Sequence, residues 1–268
     1  CALARAGAAC DGLGLRRQPQ DAGGILGHRR VPAVARRRAG AGASAAAPEN
    51  TVAAFRLADA MGADGVELDV RRVGDGRLLV AHDALPDDLD EVDRMGLATL
   101  DDALDACGER MLVNVEIKNS RTEPGYDATM AMVAPVIDEL RRRGPGAADR
   151  WLISSFSWST VAACRAYAPE IATGCLTSAP VDEPTIDRLA AAGHRALHPW
   201  EAQLDEALVA MCRRHGLAVN TWTCNDRARL VELAGLGVDG VCTDVPDVAL
   251  VALGREGAAA DPSWPAGR

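Results

Sequence analysis

Lysine is almost missing from this chain: Lys118 is the only one, beside 28 Arg in 268 residues. Asn is scarce too, and Phe and Tyr occur twice each. These shortages together indicate a coding sequence biased toward G and C, in which a residue that persists against the bias is retained for its chemistry. No apolar run approaches the roughly 20 residues that a membrane-spanning helix needs, so a helical span is excluded. The eight cysteines (1, 10, 107, 164, 175, 212, 224 and 242) never form C-x-x-C, and most lie in apolar surroundings. That distribution suits reduced, buried thiols better than a zinc site or a disulfide framework. Neither a Walker pattern nor Gly-x-Ser-x-Gly occurs, which removes the motif support for a nucleotide loop or a serine nucleophile. No initiator Met and no charged segment leading into an apolar one is visible, so the expected compartment is the cytoplasm, with a lipidated Cys1 as the alternative.

The net charge is −9, which argues against a general nucleic-acid binder. It is spread unevenly: residues 1–47 carry eight Arg against two Asp, so that stretch is basic and the remainder strongly acidic. The start is Ala/Gly/Arg-rich and shows no sustained periodicity. Residues 1–22 are therefore expected to be a poorly ordered leader, 23–255 one folded domain, and 256–268 a flexible tail.

From residue 48 a short apolar strand, a polar break and a helical stretch alternate. Strands are expected at 65–70, 112–117, 151–156, 172–176, 195–198, 218–223 and 239–243. Helices are expected near 51–61, 99–107, 127–143, 158–167, 182–192, 202–215, 226–235 and 246–253. Seven strands, with one more before residue 48, make a (β/α)8 barrel, an α/β architecture whose sites lie at the C-terminal ends of the strands. The eighth strand is either GGILGHRR (23–30), ending in His28-Arg29, or VPAVA (31–35), which carries no histidine.

Between DVRRV and LLVAHD lie only a few residues centred on Asp75-Gly76, too few for a helical crossover and suited to a β-hairpin inserted after the second barrel strand. With Asp75 and Gly76 as a two-residue loop, paired positions sum to 151 and His82 falls opposite Asp69.

The apolar run VELDV (66–70) holds Glu67 and Asp69 two residues apart, hence on one face of a strand. Two partly buried carboxylates side by side are costly unless a cation lies between them, and a divalent metal resolves the conflict. VNVEIK (113–118) repeats the spacing with Glu116 and Lys118 at the same end of the barrel. Three carboxylates suit one Mg²⁺ or Ca²⁺. A histidine beside such a hard ion serves better as acid or base than as ligand, and the set of metal, Lys, Arg and His suits a phosphate ester. His198 ends a strand and is expected in a structural or substrate-side role, while His194 and His215 are expected as polar or charged groups at helix ends. The hydroxyls of SSF (154–156) are expected to cap the helix that follows.

PENTVAAF (48–55), GADGVELDV (62–70), DGRLLVAHD (75–83), VNVEIK (113–118), LISSFSW (152–158), TWTCND (221–226) and DGVCTDVP (239–246) resemble, in order, the glycerophosphodiester phosphodiesterase family. The resemblance implies metal-dependent hydrolysis of a glycerophosphodiester to an alcohol and glycerol 3-phosphate. It implies Glu67, Asp69 and Glu116 as metal ligands, His82 as one of two catalytic histidines, Lys118 on the phosphate, Trp222 lining the cleft and Glu49 supporting the site. Members of the family begin with His-Arg-Gly on the first strand, about eight to ten residues before Pro-Glu-Asn-Thr, whereas Arg36-Arg37-Arg38 stands nearby here. The nearest substitute is His28, the other expected acid or base, with Arg29 for the phosphate. Two rivals follow: a barrel that binds phosphodiesters without turnover because the motif is degraded, and a related lysophospholipid phosphodiesterase.

Overall fold

The computed structural model describes residues 2–5, 47–144 and 149–255. In chain order the elements are β1 (Ala2–Arg5), α1 (Val52–Ala60), β2 (Gly65–Arg72), β3 (Leu78–Val80), α2 (Leu89–Met95), α3 (Leu100–Ala106) and β4 (Leu112–Ile117). There follow α4 (Val133–Arg142), β5 (Trp151–Ser155), α5 (Trp158–Tyr167), β6 (Ala172–Thr177), α6 (Glu183–Ala191) and β7 (Ala196–Pro199). The last are α7 (Glu206–Arg214), β8 (Ala218–Thr221), α8 (Arg227–Leu236), β9 (Gly240–Thr243) and α9 (Pro246–Ala252).

β2, β4, β5, β6, β7, β8 and β9 pair in that order, all parallel. β1 pairs antiparallel with β9, from Ala2↔Thr243 to Arg5↔Gly240, and meets β2 at Ala2↔Val66. The curled sheet with its helices is of the (β/α)8 barrel kind. The place between β9 and β2, which the sequence pattern gives to residues 23–30 or 31–35 in parallel, is filled by Ala2–Arg5, a piece of the expected leader, in the opposite direction. Residues 23–35, with His28 and Arg29, lie outside the described residues, as do 256–268.

Period two in the strands decides what each face carries. Val66, Leu68 and Val70 join Val113, Val115 and Ile117 in one buried cluster with Phe55 of α1, Leu104 of α3 and Ile137 of α4. A second cluster joins Cys175, Leu197, Val219 and Val241 to Ile186, Leu208, Leu230 and Leu250 on α6 to α9. Each such side chain contributes about 1.5–3 kcal/mol on burial, which locks the strands' outer face to the helices. Glu67, Asp69, Asn114 and Glu116 are thereby turned to the barrel interior. The helices start at side-chain caps, among them Thr51, Thr99, Ser157, Asp182, Asp205 and Asp226.

Three local features depart from the sequence pattern. α4 begins at Val133 instead of near 127, because the Asp127 carboxylate accepts from the backbone N–H of Thr129 and Ala131 and builds a turn first. α2 forms where no helix is expected, capped by Asp88. β3 runs antiparallel to β2 with Val70↔Val80 and Arg72↔Leu78, so paired positions sum to 150, one less than expected. Val73 N–H donates to Arg77 O, which leaves a three-residue loop, Gly74-Asp75-Gly76, with Gly76 at φ 94°. That is the three-residue turn closed by a left-handed glycine, not the two-residue turn. In consequence Ala81, not His82, lies beside Asp69, its N–H donating to Asp69 O at 3.0 Å.

Candidate active site

Asp69 and Glu116 are register partners one step before the parallel pairing of β2 with β4 ends at Val70↔Ile117. Oxygens of Glu67, Asp69 and Glu116 lie within 4.8 Å of one another, and all three residues are buried. Lys118 Nζ is 3.0 Å from Asp69 Oδ1 and 2.6 Å from Glu116 Oε1. Among the described residues one ammonium touches this group of three carboxylates, in a place where desolvation is costly. The donors are hard oxygens converging from two strands, a set that fits Mg²⁺ or Ca²⁺ and does not fit a soft metal.

Asp69 is fixed from several sides. Asn50 Nδ2 donates to its Oδ2 at 2.9 Å, and its own N–H donates to Asn50 Oδ1 at 3.2 Å. Asn50 sits at φ 56°, a left-handed conformation that Asn tolerates, directly before Thr51, whose hydroxyl accepts from Ala54 N–H to start α1.

His82 lies outside this cluster. With Glu49, Asn50 and Ala81 it lines a neighbouring cavity of about 800 Å³. Its side chain is 42% exposed, and Nδ1 is 2.9 Å from Asp83 Oδ1. Its carbonyl accepts from the buried guanidinium of Arg71, which also pairs with Glu123 at 3.0 Å. Asn50 is shared: it lines the cavity of His82 and holds Asp69.

Below the carboxylates the interior remains polar. Asn114 Nδ2 donates to Ser154 Oγ at 2.8 Å, and Asn220 Nδ2 lies 3.1 Å from His198 Nε2. Burial lowers the His198 pKa to about 3, so this imidazole is neutral. Its ring lies against Gly174, where an added Cβ would come within 2.5 Å of Nε2. A cavity of about 10 Å³ is lined by Glu67, Glu116, Asn114, His198, Asn220 and Trp222, among others. Asn114 Oδ1 and Asn220 Oδ1 are buried and have no hydrogen-bond partner among the described residues, which adds neutral oxygen donors beside the carboxylates. Trp222 donates from Nε1 to His198 O at 2.8 Å and meets Phe156 edge to face at 5.3 Å.

The structure thus brings together Glu67, Asp69, Glu116 and Lys118, sets Glu49 and His82 in an adjoining cavity, and puts Trp222 at the interior cavity; His28 and Arg29 lie outside the described residues. Other expectations need correction. His194 is buried, bonds Thr173 Oγ1 at 2.9 Å, and has its pKa lowered by burial and by Arg165, so it is no surface charge. His215 does pair with Glu183 and Asp187 at the end of α7. Ser154 and Ser155 bond β4, and Ser157 is the cap of α5. Sequence reasoning missed Asn50, Asn114 and Asn220. The scarcity that singled out Lys118 applies to them as well: the chain has five Asn, and the side chain of every one is bonded to another residue.

The glycerophosphoryl diester phosphodiesterase family model matches residues 41–96 and 89–248. A glycerophosphodiester phosphodiesterase of Caldanaerobacter subterraneus is 30% identical over 237 residues, covering 78% of this chain and 93% of its own. Among solved structures, a phosphodiesterase of Oleispira antarctica, in complex with the product sn-glycerol-3-phosphate, superposes with a TM-score of 0.70 at 25% identity over 83% of this chain and 96% of its own. A glycerophosphodiester phosphodiesterase of Agrobacterium tumefaciens does so at 0.62 and 26% identity, over 81% and 97%. On this match, which runs through the strands that carry the acid cluster, the chain belongs to the glycerophosphoryl diester phosphodiesterase family.

Proposed function

We propose that this chain hydrolyses glycerophosphodiesters to an alcohol and glycerol 3-phosphate with the help of one divalent cation, Mg²⁺ or Ca²⁺. The observation that carries the reading is the cluster of Glu67, Asp69 and Glu116, buried at the strand ends, with Lys118 braced on two of them. The product named for the Oleispira antarctica relative supports the choice of ester. The three carboxylates would hold the cation, which supplies charge neutralisation at the phosphoryl oxygens. Lys118 adds an ammonium for the same oxygens, already oriented by Asp69 and Glu116. Trp222 and Phe156 form one apolar wall.

Water attacks phosphorus and the P–O bond to the alcohol breaks, so one proton must leave the attacking oxygen and one must reach the departing oxygen. His82 is suited to one of these transfers: Nδ1 is engaged by Asp83, which leaves Nε2 for the substrate, and the ring is partly open to solvent. We assign the other transfer to His28, with Arg29 on the phosphate and Glu49 as support from the loop before α1. Cys107, Cys164, Cys175, Cys212, Cys224 and Cys242 are free and buried, which supports a reducing compartment, the cytoplasm. Among the described residues no helix is long and apolar enough to cross a membrane.

A second reading is favoured by two observations: the family match begins at residue 41, and the strand between β9 and β2 is Ala2–Arg5, not the segment that ends in His28. In it the barrel holds metal and phosphodiester with one histidine and cleaves poorly. Release of glycerol 3-phosphate from a glycerophosphodiester, followed with Mg²⁺ and again in excess chelator, tests the proposal; no release under either condition refutes it.

A further inference from the structure

Twenty-two residues around Asn50 recur later in the chain. ENTVAAFRLADAMGADGVELDV (49–70) aligns without gaps on CNDRARLVELAGLGVDGVCTDV (224–245), and eight positions coincide, among them Asn50 with Asn225, Gly62 with Gly237, and Asp69 with Asp244. The structure repeats the chemistry. Asn225 Nδ2 donates to Asp244 Oδ2 at 2.7 Å, and Asp244 N–H donates to Asn225 Oδ1 at 2.7 Å. These are the two bonds that join Asn50 to Asp69, made across the same separation of 19 residues. Both asparagines precede a helix cap, Thr51 or Asp226, and both units turn into their strand through a left-handed glycine, Gly62 at φ 79° and Gly237 at φ 78°. In both segments, therefore, an asparagine ahead of the helix grips an aspartate on, or directly after, the strand that follows.

The two grips differ in what stands beside them. Two residues before Asp69 is Glu67; at the corresponding position before Asp244 is Cys242, and Asp244 is not in the cluster of potential metal ligands among the described residues. At Asp69 the grip has a further effect. With Oδ2 bonded to Asn50 and Oδ1 to Lys118, the carboxylate plane is fixed relative to Glu67 and Glu116, while the Ala81 N–H fixes the backbone carbonyl. Outer partners of this kind set the orientation of a ligating carboxylate.

Resting on the proposed metal site, we infer that Asn50 is a positioning residue, one that holds Asp69 in its ligating orientation and ties the loop of Glu49 to it, whereas Asn225 performs the same fold-building task with no part in metal binding. The test compares Asn50→Gly with Asn225→Gly. Glycine keeps the left-handed backbone open at residue 50 and removes both side-chain bonds. Mg²⁺ and Mn²⁺ titrations by calorimetry, without substrate, give affinity; thermal unfolding in chelator gives stability.

The expected result is a 10- to 100-fold loss of affinity in Asn50→Gly, an affinity within twofold of the parent in Asn225→Gly, and a similar drop in Tm for both. Where Asn50→Gly does not fold, Asn50→Ser serves, since it is too short to span to Oδ2; the same loss is expected. Affinity within twofold of the parent in the Asn50 variants overturns the inference, and so does an equal loss in both single variants, which would reduce the grip to general stability. If the parent protein itself takes up neither ion, the metal reading fails first, and the two failures are told apart by that titration.

Discussion

Lys118, the residue that follows β4, and Glu116 near the end of that strand form an ion pair, Nζ to Oε1 at 2.6 Å, with both side chains nearly sealed from solvent. An ammonium so placed offsets part of the repulsion among three carboxylates before any cation arrives. Lys118→Met keeps the volume and removes the charge that Asp69 and Glu116 share. In chelator the variant should lose about 3–5 kcal/mol of stability, and Mg²⁺ should restore more of its Tm than it adds to the parent. Equal unfolding curves for variant and parent in chelator would show that the pair carries no such duty.

Asp69→Asn preserves the size of the side chain and its place beside Asn50 while removing the charge. The variant should remain folded by circular dichroism, lose heat of Mg²⁺ binding and lose hydrolysis. Full activity of the parent after exhaustive chelation would refute the metal requirement on which this rests.

His82 lines a cavity next to the acid cluster and is not among the oxygens that converge there. His82→Ala should therefore lower turnover by about 10²- to 10⁴-fold, the usual worth of a positioned acid or base, with Mg²⁺ affinity nearly unchanged. Collapse of metal affinity with normal turnover at saturating metal would make His82 a ligand or a prop.

How much of this was legible in the sequence follows from the kind of signal each feature leaves. Glu67 with Asp69, and Glu116 with Lys118, were legible because period two forces each pair onto one face and the apolar residues between them claim the other. The register of β3 was off by one because Gly74-Asp75-Gly76 admits a two- or a three-residue loop, and only backbone geometry selects between them. Ala2–Arg5 was not legible as a strand: four residues leave no periodic trace, and its pairing depends on an open place between β9 and β2. The Asn50–Asp69 grip spans 19 residues and leaves no periodicity either; the rarity of Asn is the one trace in the sequence that could have pointed to it.

His198 gives the interior a dependence on pH. Burial lowers its pKa from 6.5 to about 3. Below pH 6.5 the unfolded chain takes up a proton that the folded chain refuses, so this group's stabilisation is complete above that pH and drains as pH falls toward 3. The contribution is up to about 1.4 kcal/mol per pH unit within that window. His198→Gln should show a shallower loss of stability between pH 6 and 4 than the parent, by denaturant unfolding at each pH. Parallel curves would mean that the imidazole is protonated in the fold or reached by solvent.

The decisive prediction concerns the second proton carrier. Arg36-Arg37-Arg38 stands near the place of the family's His-Arg-Gly, and a guanidinium, which stays protonated, binds phosphate but exchanges no proton near neutral pH. If His28 carries the proton, His28→Ala should lose about 10²-fold or more in turnover with metal affinity intact, and the double substitution Arg36→His, Arg38→Gly should add nothing. The opposite pair of results, no loss at His28 and a gain of several orders of magnitude from the double substitution, would mark this barrel as one that binds its ester and waits for a histidine. Steady-state release of glycerol 3-phosphate at saturating Mg²⁺ distinguishes the two. The expected outcome is loss at His28, because the proposed chemistry needs a proton carrier on each side of phosphorus, and the role proposed for His82 covers only one.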